Sequence, residues 1–269
     1  MKMLDAPLIL PSRFGQAWLL DGFRLFHRQP LVWFLTLFAY WAGLVILAMI
    51  PVLGLILPLI LSPGLSFGFV ALARAVDRRD LPMPLLLLSG FRSPKAKPLV
   101  QLGIVYFAGL LLVLGVAWMA DGGFLARTMT ESPSDLADPE VTLESGVRIG
   151  LVFALLAYIP VLMAFWFAPQ LVVWKDFPVG KSLFYSFFAV WRNRAAFFRY
   201  GLAWTLLIVA ISLVVSLFAE VTGAEPRMIF TAVMPISLVL IAVAQGSFYA
   251  STRDVFEVRD PPEKIDTLA

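Results

Sequence analysis

Few residues of this 269-residue chain are of types that do chemistry. It contains no Cys and one His, His27, so thiolate nucleophiles, disulfides and Cys- or His-based metal clusters are excluded. A Ser-His-Asp triad would have to use His27 itself. The run Gly180-Lys181-Ser182 is like the end of a phosphate-binding loop, but Lys175 stands where that motif needs its first glycine. We therefore predict no enzymatic activity, no metal and no cofactor.

Three glutamines are the main strongly polar residues in or near otherwise apolar runs: Gln101, Gln170 and Gln245. Polar groups inside a membrane often mark a functional pathway, and they also form hydrogen bonds between helices. All three fall toward the same side of the membrane, where water and other helices are near. We expect them to make polar contacts within the bundle. No charged residue falls in the middle of an apolar run, which disfavours ion- or proton-coupled transport.

The elements that must position these residues are transmembrane helices. The chain is 60% apolar and 14% charged, whereas soluble domains carry about 25% charged residues. This composition argues against a cytosolic enzyme, a nucleic-acid-binding protein and a disordered protein. Pro51 and Gly54 favour a hairpin between the first two apolar runs, and a re-entrant hairpin over 31–73 is the alternative to two full spans. The six predicted spans are 31–50, 53–73, 99–120, 149–174, 200–219 and 229–252.

Lysine and arginine are distributed unequally between the two sides of these spans. Eighteen fall on the side of the termini and three on the opposite side. The positive-inside rule then places both termini in the cytoplasm. Six acidic residues lie in the opposite loop at 121–148, which suits the outer face. The rule accounts for the basic side fully, so we predict no nucleic-acid partner.

The segments before the first and fifth spans share an amphipathic pattern. With about 100° per residue, a helix at Phe14–Arg28 separates a charged arc from an aromatic and aliphatic arc. The pattern returns in register 165 residues later, so Gly15 matches Gly180 and Phe23 matches Phe188. A shorter copy precedes the third span at Leu85–Ser93. We infer three parallel units at about 12–80, 81–176 and 177–255, with a cytoplasmic tail at 256–269; each unit is an interfacial elbow helix followed by a two-span hairpin.

The elbows have two readings. A basic amphipathic helix with an aromatic face lies flat at the headgroup level of a membrane. Such a helix either sets only the angle at which a span enters the membrane, or it grips anionic lipid or a cytoplasmic partner. The candidate contacts for the second reading are Arg24, Arg28, Arg92, Arg192, Arg194, Phe23, Phe26, Phe188 and Trp191.

Several strings resemble an uncharacterised family of proteobacterial inner-membrane proteins with six spans and unknown function. They are LFHRQPLVWF, IPVLGLILPLILSPGLSFGF, LLSGFRSPKAKPL, WFAPQLVVWKDFPVGKSLFYSFFAVWRNRAAFFRYG and GSFYASTRDVF. The most specific pieces are the Arg192-Asn193 pair and the segment from Tyr249 to Asp254. The resemblance covers nearly the whole chain except the acidic loop. It implies the six-span topology and the bacterial inner membrane, and it supplies no catalytic residues.

The sequence thus predicts an all-α polytopic membrane bundle of six transmembrane helices, built as three elbow-plus-hairpin units. We expect a non-enzymatic module that organises lipid or a partner protein, with membrane lipids, another protein or a second copy of the chain as partners. The prolines in the even-numbered spans support an alternative, a transporter or permease component for a small or amphipathic molecule. A cavity lined by Pro63, Pro160, Gln170 or Gln245 would favour that alternative.

Overall fold

A computed structural model describes residues 6–123, 139–223 and 225–256. The predicted tail and most of the predicted acidic loop lie outside these ranges. Within them the chain forms nine α-helices and one 3-10 helix. The α-helices are α1 (Phe14–Arg28), α2 (Pro30–Ala48), α3 (Leu53–Arg78), α4 (Ala96–Asp121), α5 (Pro139–Phe165), α6 (Ala168–Trp174), α7 (Val179–Arg192), α8 (Arg194–Thr222) and α9 (Pro226–Phe256), and the 3-10 helix is Pro84–Leu88.

Six stretches of these described residues are long and apolar enough to cross a membrane. They are Pro30–Ala48, Leu53–Arg78, Ala96–Asp121, Ile149–Trp174, Arg194–Thr222 and Arg227–Phe256. The predicted all-α polytopic bundle is therefore confirmed. Several helices extend beyond the predicted spans, and α8 begins at Arg194 rather than at residue 200. Charged residues at these ends do not stop a helix, because they reach water or headgroups beyond the hydrocarbon.

The first hairpin turns over four residues between Ala48 and Leu53. Val52 adopts a left-handed backbone with φ of 63°. A Cβ added to Gly54 would come within 2.8 Å of the Ala48 Cα, so the two helices approach closely at this tip. The turn thus forms where Pro51 and Gly54 predicted it, and both of its helices are long enough to cross the bilayer.

The fourth span is broken between α5 and α6. Pro169 has no N–H, and in a continuous helix its ring would clash with the carbonyl of Phe165, four residues earlier, so the helix breaks here and α5 ends at Phe165. Ser186 of α7 bonds the two freed backbone groups: its Oγ accepts from the Phe167 N–H at 2.9 Å and donates to the Met163 carbonyl at 2.8 Å. A side chain from a neighbouring helix therefore makes the break tolerable inside the bundle.

The elbow segments pack cyclically. The 3-10 helix lies on α3, α7 lies on α5 and α6, and α1 lies on α9. The 3-10 helix and α7 each pack on the span that comes just before them in the chain, the second and the fourth. Helix α1, which precedes all the spans, packs on the sixth. We call the end of the bundle that holds these segments the elbow side. The boundaries proposed for the three units remain a prediction.

The third elbow differs from the expected amphipathic helix at Leu85–Ser93. This segment contains the 3-10 helix Pro84–Leu88 followed by turns. Its backbone lies directly on α3, because a Cβ added to Gly68 would collide with the backbone of Leu87. Pro84 begins the 3-10 helix, and Pro82 and Pro94 flank the segment.

Candidate functional site

One face of the α1 elbow packs into the bundle. Its glycines admit neighbouring backbones: a Cβ on Gly15 would collide with the Ala196 carbonyl of α8, and one on Gly22 with the Val243 carbonyl of α9. Trp18 is completely buried. The helix therefore forms a wedge between the elbow-side ends of α8 and α9. Trp18 of the aromatic arc therefore faces protein, while the contact of Phe23 and Phe26 with headgroups or a partner stays a prediction.

The α1 candidates are placed accordingly. Phe23 and Phe26 are half-buried, and the Phe26 ring packs edge-on against Phe34 with centroids 5.5 Å apart. The Arg24 guanidinium contacts Asp21 at 2.8 Å, and that of Arg28 contacts Asp77 at 3.3 Å. The Phe26 ring and the guanidinium groups of Arg24 and Arg28 thus have protein partners.

The α7 elbow presents the opposite face to the bundle. Its small polar arc is inside, with Ser182 and Ser186 fully buried. Its aromatic arc is outside: Phe184, Phe188 and Trp191 are 60%, 43% and 53% exposed. The rings contact one another along the helix, and the centroids of Phe184 and Phe188 are 4.6 Å apart. This is an ordered aromatic face that no described residue covers.

Basic residues border this aromatic face. Arg192 and Arg194 are exposed at the junction of α7 and α8. The Arg194 guanidinium lies 5.9 Å from the Trp191 ring centroid, within cation–π range. We call Phe184, Phe188, Trp191, Arg192 and Arg194 together the α7 surface.

An apolar groove adjoins the α7 surface between α5, α7 and α8. Its volume is about 440 Å³. Arg194 and Trp191 line the groove, and so does Gly201, beside which an added Cβ would meet no atom within 4 Å. Aromatic rings, a cation and open apolar space thus meet at the elbow side. This combination suits an amphipathic anion.

A charged cluster at the elbow side joins three helices, and we name it the Arg253 cluster. Arg253 of α9 contacts Asp21 of α1 at 2.7 Å, Asp77 of α3 at 3.3 Å and Asp254 at 3.1 Å. Trp18 Nε1 donates to Asp254 at 3.2 Å. The Tyr249 hydroxyl donates to Asp77 at 3.0 Å. Each carboxylate is thus held by donors, and the cluster clamps the three helices together.

A second clamp centres on Asn193, between α7 and α8. Its Oδ1 accepts from the Leu10 N–H at 2.8 Å, and its Nδ2 donates to the Leu8 carbonyl at 2.9 Å. The Leu8 N–H in turn donates to the Val255 carbonyl at 2.9 Å. The extended segment before α1 is therefore tied to both the fifth and the sixth span.

The sequence interpretation assigned no role to the residues of these two clamps. Their members are far apart in the chain, so spacing does not reveal them. The only signal was that the two most specific pieces of the family resemblance contain Asn193, Arg253 and Asp254. Among the described residues no group of three or more His, Cys, Asp or Glu side chains is arranged to hold a metal ion.

The three glutamines differ in burial. Gln101 is exposed, Gln170 is 1% exposed, and Gln245 is half-buried. The Oε1 atoms of Gln170 and Gln245 have no hydrogen-bond partner in the described part of the chain. The expected interhelical hydrogen bonds to these oxygens are therefore not found.

A cavity of about 210 Å³ lies between α3, α4, α5 and α9. Its polar lining includes Ser62, Ser66, Tyr106 and Tyr158, and the two tyrosine hydroxyls are 3.3 Å apart. Of the four residues expected at a transport cavity, only Pro63 lines it. The other three, Pro160, Gln170 and Gln245, are not among its lining residues.

Comparison with known proteins identifies the family of this chain. A probable inner membrane protein of Burkholderia thailandensis is 34% identical to the chain over 253 residues, covering 93% of each sequence. The chain belongs to this family. The inner membrane protein relative is named for its location, and the name states no activity. No family model matches the chain, and no solved structure matches it.

Proposed function

We propose that this inner membrane protein is a non-enzymatic module that organises anionic phospholipid around its α7 surface. The observation that carries the proposal is the reversed orientation of α7, whose aromatic arc is exposed while its serines are buried. The outward rings lie beside two exposed arginines, Arg192 and Arg194. Tryptophan is enriched at the interface between hydrocarbon and headgroups, where its ring contacts the apolar side and its N–H the polar side. Trp191 suits that position, and Phe184 and Phe188 add apolar surface beside it.

The charges of the α7 surface support an anionic rather than a zwitterionic lipid. Arg192 and Arg194 add two exposed guanidinium groups next to the aromatic rings. A guanidinium binds phosphate oxygens through two parallel hydrogen bonds. Each basic group near an anionic membrane surface contributes about 1 kcal/mol of attraction. The adjoining apolar groove gives the acyl chains of such a lipid a place to pack.

The proposal also places the elbow side in the cytoplasm, on the basis of the lysine and arginine distribution. Because the chain has no native Cys, single cysteines report the orientation directly. Gln16→Cys marks the elbow side and Thr222→Cys the opposite end; both positions are exposed. A membrane-impermeant maleimide is expected to label Thr222→Cys in spheroplasts and Gln16→Cys only in inverted vesicles. The reverse labelling would overturn this placement.

The lipid role is tested by the double variant Phe188→Ser, Trp191→Ser. Its expected effect is a several-fold loss of phosphatidylglycerol that co-purifies in mild detergent, with phosphatidylethanolamine unchanged. The matched control is Phe38→Ser, Trp118→Ser, which removes rings that are 57% and 60% exposed from other helices. Equal lipid content in wild type and both variants would remove the proposal. Loss of a protein partner or of a homodimer, with lipid unchanged, would replace it by the partner-binding role.

The cavity between α3, α4, α5 and α9 supports the alternative function, a transporter or permease component for a small or amphipathic molecule. The observation in its favour is the pair of tyrosine hydroxyls beside two serines within the apolar bundle. A transport route has to admit water from at least one side. Labelling of Ser66→Cys by a water-soluble maleimide, with the buried Ala242→Cys as the unreactive control, would support it. An unreactive Ser66→Cys would count against it.

A further inference from the structure

A second apolar groove lies between the two helices of the first hairpin. We call it the hairpin groove. Its volume is about 700 Å³, within the range of about 300–1,000 Å³ that is typical of ligand pockets. Gly43 of α2 and Leu61 and Leu65 of α3 line it, the 3-10 helix and Phe91 line it further along, and Arg92 is its one charged lining residue.

The groove is open because the glycines of α3 pack against the segment that contains the 3-10 helix and Phe91, not against α2. The Phe91 ring occupies the space over Gly64, and the backbone of Leu87 lies on Gly68. Helix α2 therefore approaches α3 closely at the hairpin tip and leaves a gap farther along. On the α2 side of the gap, a Cβ added to Gly43 would meet no atom within 4 Å. The wall at this position has unfilled space.

Arg92 is the cation at this groove. It is exposed and lies four residues before α4 begins, at the level where the chain enters the membrane. In the described part of the chain no carboxylate pairs with it, whereas Arg24, Arg28 and Arg253 all contact aspartates. Its guanidinium is therefore available to an external anion.

We infer that the hairpin groove binds one acyl chain of an anionic glycerophospholipid, with the lipid phosphate on the Arg92 guanidinium. The apolar walls match hydrocarbon, and the single cation matches the charge of one phosphate group. The groove beside α7 combines the same features independently, namely apolar walls, an open glycine at Gly201 and an arginine at Arg194. The hairpin groove is a separate site, and the inference does not depend on the lipid role of α7.

The experiment fills the groove without touching its charge. Gly43→Phe places a ring in the open space, and Gly115→Phe is the matched control, since an added Cβ there also meets nothing and Gly115 does not line the groove. Phosphatidylglycerol is titrated onto the purified full-length chain, and bound lipid is counted by native mass spectrometry. We expect Gly43→Phe to weaken one binding event about tenfold and Gly115→Phe to bind like wild type. Wild-type binding by a folded Gly43→Phe protein would overturn the inference.

A second variant tests the headgroup. Arg92→Gln is expected to weaken phosphatidylglycerol binding about fivefold, as loss of one surface cation predicts, and to leave phosphatidylethanolamine unchanged. Lys97→Gln, an exposed cation on the same side, is the control. Equal binding of both lipids by wild type, or loss with Arg92→Gln but not with Gly43→Phe, would overturn the inference. The double variant Phe188→Ser, Trp191→Ser is expected to retain this binding event, so failure of the α7 role and failure of the hairpin groove are distinguishable.

Discussion

Helices α1 and α7 are copies of one pattern that the bundle uses in opposite ways. Both carry an aromatic arc and a polar arc in the same register. In α1 the largest ring of the aromatic arc is inside, since Trp18 is fully buried between α8 and α9. In α7 the small polar arc is inside, and Trp191 is 53% exposed. An amphipathic period therefore fixes which residues share a face, while the packing partner decides which face is buried.

The partner differs because the two helices meet different surfaces. Helix α1 packs against the backbones of α8 and α9. Its glycines allow this close approach, and the Trp18 ring fills the space between the two helices. Helix α7 faces a broken span whose unpaired backbone groups need hydroxyls, and Ser186 supplies one. In a membrane the rings left over on α7 are not a liability, because lipid solvates them as well as a protein core does. A soluble protein would expose such a face only at a binding site.

The largest loss of stability that would test this comparison is expected at the Arg253 cluster, which holds α1 to α3 and α9. Arg253→Gln leaves Asp21, Asp77 and Asp254 without their shared cation. We expect a loss of about 3 kcal/mol, at the low end for a buried ion pair because Arg253 keeps some contact with solvent. The measurement is the temperature at which the detergent-solubilised protein aggregates, read by size-exclusion fluorescence after heating. Arg199→Gln, an exposed arginine on the same side, is the control and should change little. Equal stability of the two variants would mean that the cluster does not hold α1.

The next largest loss of stability is expected where α1 is wedged between α8 and α9. Gly15→Ala pushes a methyl group into the Ala196 carbonyl, and the Tyr200 nitrogen would stand 2.6 Å from it. Both obstacles are backbone and cannot rotate away, so we expect a loss of about 1–3 kcal/mol, the usual cost of overpacking. The same heating assay measures it. Alanine at Gly115, which lies on the helix α4 and has open space, is the control. An unaffected Gly15→Ala would show that α1 is not wedged between α8 and α9.

The corresponding anchor of α7 is smaller and uncharged. Ser186→Ala removes the acceptor for the Phe167 N–H and the donor to the Met163 carbonyl. An unsatisfied buried polar group costs about 1–3 kcal/mol, and water near the break would bring the effect toward the lower value. Thermal aggregation again reads the change, with Ser237→Ala on an exposed part of α9 as the control. If the two serines behaved alike, the inward arc of α7 would not be repairing the broken span.

The parts of this fold that could be predicted from sequence are those that depend on local pattern. Charge-free runs located six spans, and the 3.6-residue period located α1 and α7 within a few residues. The buried face of each elbow could not be predicted from that period, because it depends on contacts with residues such as Ala196 and Val243, far along the chain. The short copy at Leu85–Ser93 was misread for the same reason: its prolines and its contact with Gly68 outweighed its pattern.

The positions of the small residues indicate which face of each elbow helix is buried. Gly15 and Gly22 are seven residues apart and lie on one face of α1, two turns from each other. In α7 the small residues Ser182, Ser186 and Ala189 line a face in the same manner. Close helix contacts in membranes use small side chains. Reading the small-residue stripe rather than the aromatic arc would have identified the inward face of both helices.

The smallest effect follows from the matched glycines of the two elbows. Gly180 corresponds to Gly15 in the repeat, but it is exposed, and an added Cβ would meet no atom within 4 Å. In the middle of a helix alanine is favoured over glycine by about 0.5–1 kcal/mol, because glycine loses more backbone freedom on folding. Gly180 is the second residue of α7, so the gain there should be at the low end of this range or below it. Gly180→Ala should therefore raise the aggregation temperature slightly, whereas Gly15→Ala lowers it. The two substitutions are chemically identical and occupy equivalent places in the pattern, so a shared sign would mean that the two copies have the same surroundings after all.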